Sequence, residues 1–225
     1  MSLDHYRQKR DFQLSPEPRG GERGAAVLKP KLQFVIQKHR ATQLHYDFRL
    51  EFNGVLLSWA VPKGPSLDPS VKRLAMQVED HPLEYAGFEG VIPEGEYGGG
   101  TVMVWDRGYW APEVRDVARA LEKGDLKFIL HGKKLRGSWV LVRTRGYGGG
   151  REGRSWLLIK HRDQYASTAD IVTEKPRSVI SRRLLAQIAR DEGGNVAKAA
   201  TGDPETPRPS VAKVPTRKPS GRAKS

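Results

Sequence analysis

The chain has 225 residues, no cysteine, 37% apolar residues and a net charge of +13. Disulfides, thiolate metal sites and cysteine nucleophiles are therefore excluded. The first residues, MSLDHYRQKRDF, contain no apolar signal core. No run approaches the roughly 20 apolar residues of a membrane helix, so a cytoplasmic protein is expected.

The charge points to a polyanionic partner, most simply nucleic acid. From Val196 onward, seven Lys or Arg stand against two acids, which gives that tail +5 and leaves +8 for the rest. The part that folds is thus basic in its own right.

In chain order, residues 1–30 are polar and rich in Gly, Pro and Arg, and read as an arm. From Leu32 the pattern turns strand-like: LQFVIQ, LHYDFRLEF, VLLSWAV, LAMQVE, TVMVWD, LKFILHG, KLRGSWVLVRT and SWLLIKH. Asn53-Gly54 between two of them signals a tight hairpin. HGKKLRG and DRGYW read as further turns, and PEGEYGGGT as a glycine-rich strand connection rather than a phosphate loop, since no Gly-Lys-Ser/Thr follows. RGYGGGREGRS is a basic loop. Helices are expected over 111–124, ending on Gly124, and over 178–194, with Ser178 as N-cap. Residues 195–225 read as a basic disordered tail. The fold class is mainly β: a small antiparallel barrel of about eight strands over residues 31–194, with one or two flanking helices.

One strand carries an unusual face. In residues 44–52, Leu44, Tyr46, Phe48, Leu50 and Phe52 share one parity, and His45, Asp47, Arg49 and Glu51 share the other. Alternation puts His45, Asp47 and Arg49 on one side of a strand. With His39 upstream they form a two-imidazole, one-carboxylate set suited to Mn²⁺, Zn²⁺ or Fe²⁺, with Arg49 placed for phosphate oxygens. H-x5-H-x-D alone equally describes an exposed polar face. Lys63 in VPKGPS, Arg73 at a strand start, and His81 and Tyr85 beyond its end add functional groups at strand ends and loops. The five tryptophans read as core.

QKHRATQLHYDFRLEFNGVLLSWAVPKGPS and QVEDHPLEYAGFEGVIPEGEYGGGTVMVWDRGYW closely resemble the 3′-phosphoesterase domain of bacterial DNA ligase D, used in non-homologous end joining. KRDFQLSPEP, LHGKKLRGSWVLVR and WLLIKHRDQYA follow the same family in the same order. The resemblance implies a β-barrel with its site on a concave face. It also implies a Mn²⁺-dependent enzyme of the bacterial cytosol or nucleoid that removes a 3′-terminal ribonucleoside and then the 3′-phosphate, leaving a 3′-hydroxyl. On this resemblance, His39, His45 and Asp47 bind the metal, and Arg49 and His81 engage the scissile phosphate. Tyr85, Lys63 and Arg73 line the phosphate or nucleic-acid side, and Gln37 and Glu79 orient these groups. Arg10, Asp11 and Glu17 bring the arm into the site, with Glu17 at the substrate ribose. No K-x-D-G ligase motif is present, so a stand-alone phosphoesterase is expected, with Ku and a separate ligase as possible partners beside DNA 3′ ends. The alternative is a non-catalytic nucleic-acid-binding module on the same barrel. A metallo-hydrolase of small molecules is a third reading, disfavoured by the +8 charge.

Overall fold

The alternating segments pair in an all-antiparallel ladder. The computed structural model describes residues 3–21, 31–144 and 153–205. Its strands are β1 (Leu32–Arg40), β2 (Leu44–Phe52), β3 (Val55–Val61), β4 (Arg73–Gln77), β5 (Gly90–Ile92), β6 (Gly100–Pro112), β7 (Asp125–Gly132), β8 (Arg136–Arg143) and β9 (Ser155–Lys160). They run in the order β1-β2-β3-β4-β9-β8-β7-β6-β5, and β1 also pairs with β6. Eight strands thereby close into a barrel, and β5 hangs on the first residues of β6 as an extra strand. β5 is not among the expected strands, because three residues are too few to show alternation.

Turn chemistry sets the register. Asn53 and Gly54 both have positive φ, 49° and 79°, the geometry of a two-residue hairpin whose twist matches its strands. This fixes Phe52 opposite Val55 and Arg49 opposite Ser58. DRGYW is not a turn. It lies inside β6, where Gly108 pairs with Phe34 on one side and Gly132 on the other. A Cβ at Gly108 would collide with the His131 carbonyl, so this glycine serves a close strand approach.

The barrel interior takes the apolar parity: Phe34 and Ile36 of β1, Tyr46, Phe48 and Leu50 of β2, Trp59 of β3 and Trp156 of β9 all lie in one buried cluster. Each such side chain contributes about 1.5–3 kcal/mol on burial. All five tryptophans are buried. A second, smaller cluster of Tyr6, Val35, Leu56, Tyr85 and Val104 lies on the opposite parity, outside the wall. Over it sit the arm, with α1 (Asp4–Gln8), and a 3₁₀ turn at Leu83–Gly87. The arm is tied into a loop by Tyr6 Oη donating to the Pro18 carbonyl at 2.6 Å and by Arg7 donating to the Gly20 carbonyl at 3.1 Å.

Both expected helices are shorter. α2 spans Val117–Lys123, capped by Asp116 and ended by Gly124 at φ 80°. Ala111 and Pro112 continue β6 instead, paired with Ile129 and Phe128. After α3 (Ile171–Glu174), α4 spans only Leu185–Asp191. Ser178 is not its cap: the hydroxyl holds a separate turn through Ile180 and Ser181 N–H and donates to Glu89. Arg182, at φ 65°, breaks the helical path.

The expected tail also starts too early. α5 (Val196–Ala200) is capped by Asn195 and buries Ala199 in the barrel core cluster. Asp203 accepts the Leu185 and Ala186 N–H groups at 3.0 and 2.9 Å, so the cap of α4 comes from beyond α5. The rest of that tail, 206–225, and most of the basic glycine loop, 145–152, lie outside the described residues. Among the described residues no helix is long and apolar enough to cross a membrane.

Candidate active site

The polar parity of β1 and β2 meets on the outer wall. His39 pairs directly with His45, and Gln37 with Asp47, across the β1–β2 ladder. His39 Nδ1 and His45 Nε2 each lie 3.6 Å from Asp47 Oδ2, and one ligand atom from each residue falls within 4.8 Å of the others. Each ring's remaining nitrogen faces a backbone carbonyl: His39 Nε2 to Gly98 at 2.8 Å, His45 Nδ1 to Gln43 at 3.0 Å. A carbonyl only accepts, so those nitrogens carry the protons, and the lone pairs of the other two point toward Asp47. This is the donor arrangement a divalent transition ion requires, and the three residues fit one. Gly98 was not foreseen, because a backbone carbonyl leaves no side-chain signal.

Burial sets the charges first, and the neighbours adjust them. Burial alone would raise the Asp47 carboxyl, but Arg49 and then His45 hold it well below the usual range. Burial pushes His39 down despite Asp47. Burial also opposes charge on His45, yet Asp47 lifts it above its ordinary value.

Arg49 is clamped beside the metal group. Its Nε donates to Gln37 Oε1 and its Nη1 to Ser58 Oγ, both at 2.8 Å, and Nη2 lies 3.2 Å from Asp47 Oδ2. A guanidinium has five N–H donors. Two of Arg49's therefore lack a partner among the described residues. Gln37 in turn donates to the Tyr85 and Phe88 carbonyls at 3.0 and 2.9 Å, tying β1 to the 3₁₀ turn. Ser58 is a second residue that the sequence reading missed.

His81 and the arm complete the cluster. His81 Nδ1 lies 2.9 Å from the Glu79 carbonyl, which fixes the proton there and leaves Nε2 as acceptor, 3.4 Å from Arg10 Nη2. Burial, then Arg49 and Arg10, hold His81 well below its ordinary pKa, so the ring is neutral. Arg10 Nε donates to Glu17 Oε1 at 2.8 Å, and Tyr85 Oη donates to the same oxygen at 3.0 Å. Ser15 donates to the other Glu17 oxygen at 2.8 Å. Glu79 pairs with Lys9 at 3.1 Å and Arg10 at 3.5 Å. Glu17 and Glu79 thus hold Arg10 in place.

The side chains of three further expected residues make no hydrogen bond to these groups among the described residues. The Asp11 carboxylate is exposed and accepts the Gln13 N–H at 2.9 Å, a local turn contact. Asp11 also lines, with Arg7, Arg10 and Arg19, a groove of about 310 Å³ in the arm. Lys63 is exposed just past the end of β3, which pairs with the start of β2. Arg73 shares the parity of the core residue Ala75, and its Nε is buried without a partner among the described residues.

Comparison with known proteins places this arrangement. Residues 37–143, which include all three candidate ligands, Arg49 and His81, match the DNA ligase D 3′-phosphoesterase domain family. Residues 37–143 belong to that family. It is 52% identical over 186 residues to the multifunctional non-homologous end joining protein LigD of Pseudomonas aeruginosa, covering 81% of this chain and 22% of that protein. It is 47% identical over 149 residues to the LigD repair protein of Mycobacterium tuberculosis, covering 64% of this chain and 18% of that one. The LigD protein of Mycolicibacterium smegmatis is 41% identical over 167 residues. The chain therefore spans about a fifth of the length of the curated relatives it matches.

Proposed function

We propose that the chain is a metal-dependent phosphoesterase that heals DNA 3′ ends in the bacterial cytoplasm. It removes a 3′-terminal ribonucleoside and then the 3′-phosphate, within non-homologous end joining alongside Ku and a ligase. The observation that carries this reading is the three-ligand group within 4.8 Å set against Arg49, whose two unpartnered N–H groups suit phosphate oxygens.

A bound Mn²⁺ would supply a Lewis acid for a non-bridging phosphate oxygen. His39, His45 and Asp47 would hold it, with Gly98 and Gln43 fixing the rings. Arg49 holds the phosphoryl group through its remaining donors, and Gln37 and Ser58 keep its plane from turning. His81 enters as a neutral ring with a lone pair on Nε2, so it first takes up a proton. It can give one to a leaving oxygen only afterwards. Arg10 contributes positive charge at the same Nε2, and its grip on Glu17 makes the arm part of the site. The groove beside Arg10, with Arg7 and Arg19 on its rim, gives a nucleic-acid strand a basic path to the site.

The test is a labelled primer-template ending in one 3′-ribonucleotide, incubated with and without Mn²⁺. A 3′-phosphate product followed by a 3′-hydroxyl product is expected only with the metal. His45→Ala should slow both steps on the order of 100-fold or more. Phosphatase turnover at the wild-type rate in that variant would overturn the ligand assignment.

A further inference from the structure

The mouth of the barrel at the end where β1 gives way to β2 is also basic, on the inner side of the wall. A cavity of about 280 Å³ there is lined by Leu67, Lys133, Lys134, Arg136, Tyr165 and Lys175. Four of these six carry positive charge and none is acidic. The acids of the region are already engaged. Asp106 accepts backbone N–H groups from Arg107, Lys133, Lys134 and Leu135. Asp163 takes the Lys160 ammonium and the Ser138 and Tyr165 N–H groups.

The cations are placed rather than merely present. Lys134 donates to the Lys175 and Arg177 carbonyls, each at 2.7 Å, and lies 4.2 Å over the Trp105 ring. An ammonium has three donors, so one is left without a partner among the described residues. On the other side of the packed Tyr46–Trp105 pair, Lys38 is 2% exposed with its ammonium 5.9 Å from the Tyr46 ring; burial lowers it and Asp203 pulls it back. Burial pushes Lys134 down to about 7; Asp106 pulls it back, while Lys38, Lys175 and Arg182 press it further down. A lysine so placed has burial and three cations working against its charge, with Asp106 alone in its favour.

We propose that this mouth is a second phosphate-binding site, separate from the metal group, in which Lys134 and Arg136 grip a phosphate with Lys133 and Lys175 at the rim. β1 separates the two sites: Gln37 and His39 face outward to the metal group, and Lys38 faces inward. The phosphate is supplied either by a DNA backbone passing the barrel end or by a free nucleotide or inorganic phosphate. The site needs only anion chemistry and does not depend on which 3′ end the enzyme accepts.

The experiment compares the wild-type chain with Lys134→Gln/Arg136→Gln and, because Lys134 also supports a turn, with the exposed rim pair Lys133→Gln/Lys175→Gln. Thermal melting is followed in inorganic phosphate against chloride at equal ionic strength. Binding of a 3′-hydroxyl primer-template is followed by fluorescence anisotropy over a salt series. Phosphate should raise the wild-type melting temperature by more than it raises that of either variant, since the variants keep only the site at Arg49. If DNA supplies the phosphate, each double variant should also lower the log–log salt slope by about 2, with turnover at saturating 3′-phosphorylated DNA unchanged. A phosphate effect without a slope change assigns the site to a free phosphate or nucleotide. A slope change alone assigns it to the DNA backbone. If both variants match wild type in both measurements, the proposal is overturned. A chain that turned over no 3′ end would still give the melting result, so the two proposals fail separately.

Discussion

His81 shows how much a single ring depends on its surroundings. Its proton sits on Nδ1 because Glu79 offers only a carbonyl there, and two guanidiniums repel a second proton. The unfolded chain takes up a proton near pH 6.5, whereas the folded chain resists until well below that. Protons therefore favour the unfolded state, and this residue lowers stability progressively as pH falls below 6.5. His81→Gln should flatten the acid side of a stability–pH profile measured by urea unfolding; an unchanged profile would mean the ring is not neutral in the fold. At this scale the sequence is partly legible. His45, Asp47 and Arg49 announce themselves by alternation, and even Ser58 could be reached by counting back from the Asn53-Gly54 turn to the residue opposite Arg49. Gly98 could not, because its contribution is a main-chain oxygen. Asp11 is placed by its motif alone; its carboxylate accepts a turn N–H while the residue lines the basic groove of the arm.

Among the elements, the arm and the outer wall depend on each other. β1, β2 and β3 present Gln37, Asp47, Arg49 and Ser58 outward, and without a roof those polar groups would stand in water beside Val35 and Leu56. The arm supplies the roof through Tyr6 and supplies Arg10 to His81. A chain starting at Lys31 should keep Mn²⁺ binding, since all three ligands belong to the barrel wall. It should lose turnover by about 100-fold or more, since Arg10 and Glu17 go with the arm. Mn²⁺ titration followed by electron paramagnetic resonance, alongside the 3′-phosphatase assay, checks this; full turnover without the arm would refute its role. The arm was legible in the sequence only as a motif, because its polar, glycine-rich composition hides the few buried anchors such as Tyr6. The two helices came out too long for a related reason. Periodicity ran on through Ala111 and Pro112, where ladder pairing wins, and through Ser178, where a side-chain turn wins.

For the whole molecule, the boundary between fold and tail lies later than composition suggests. Residues 195–205 contain almost no large apolar side chain, yet Ala199 reaches the core and Asp203 caps α4. Small residues that pack by fit give little hydropathy signal. Ending the chain after Gly194 should therefore lower unfolding free energy by at least about 1 kcal/mol through the lost cap alone. Ending it after Glu205 should cost little, and equal urea midpoints for the two would contradict this boundary. The barrel itself was readable because eight strands repeat one alternation. The metal group has a different relation to chain length from the rest of the site. His39, His45 and Asp47 all belong to one hairpin and meet through its own ladder, whereas Arg10 reaches His81 across 71 residues of sequence. Contacts of such short range form early in folding, and long-range ones form late. An ion that also bound the β1–β2 hairpin in the unfolded chain would stabilise the finished fold less than its affinity for the fold alone implies. The ligand set is thus a local feature of one hairpin, and the Arg10–His81 contact a feature of the assembled arm and barrel.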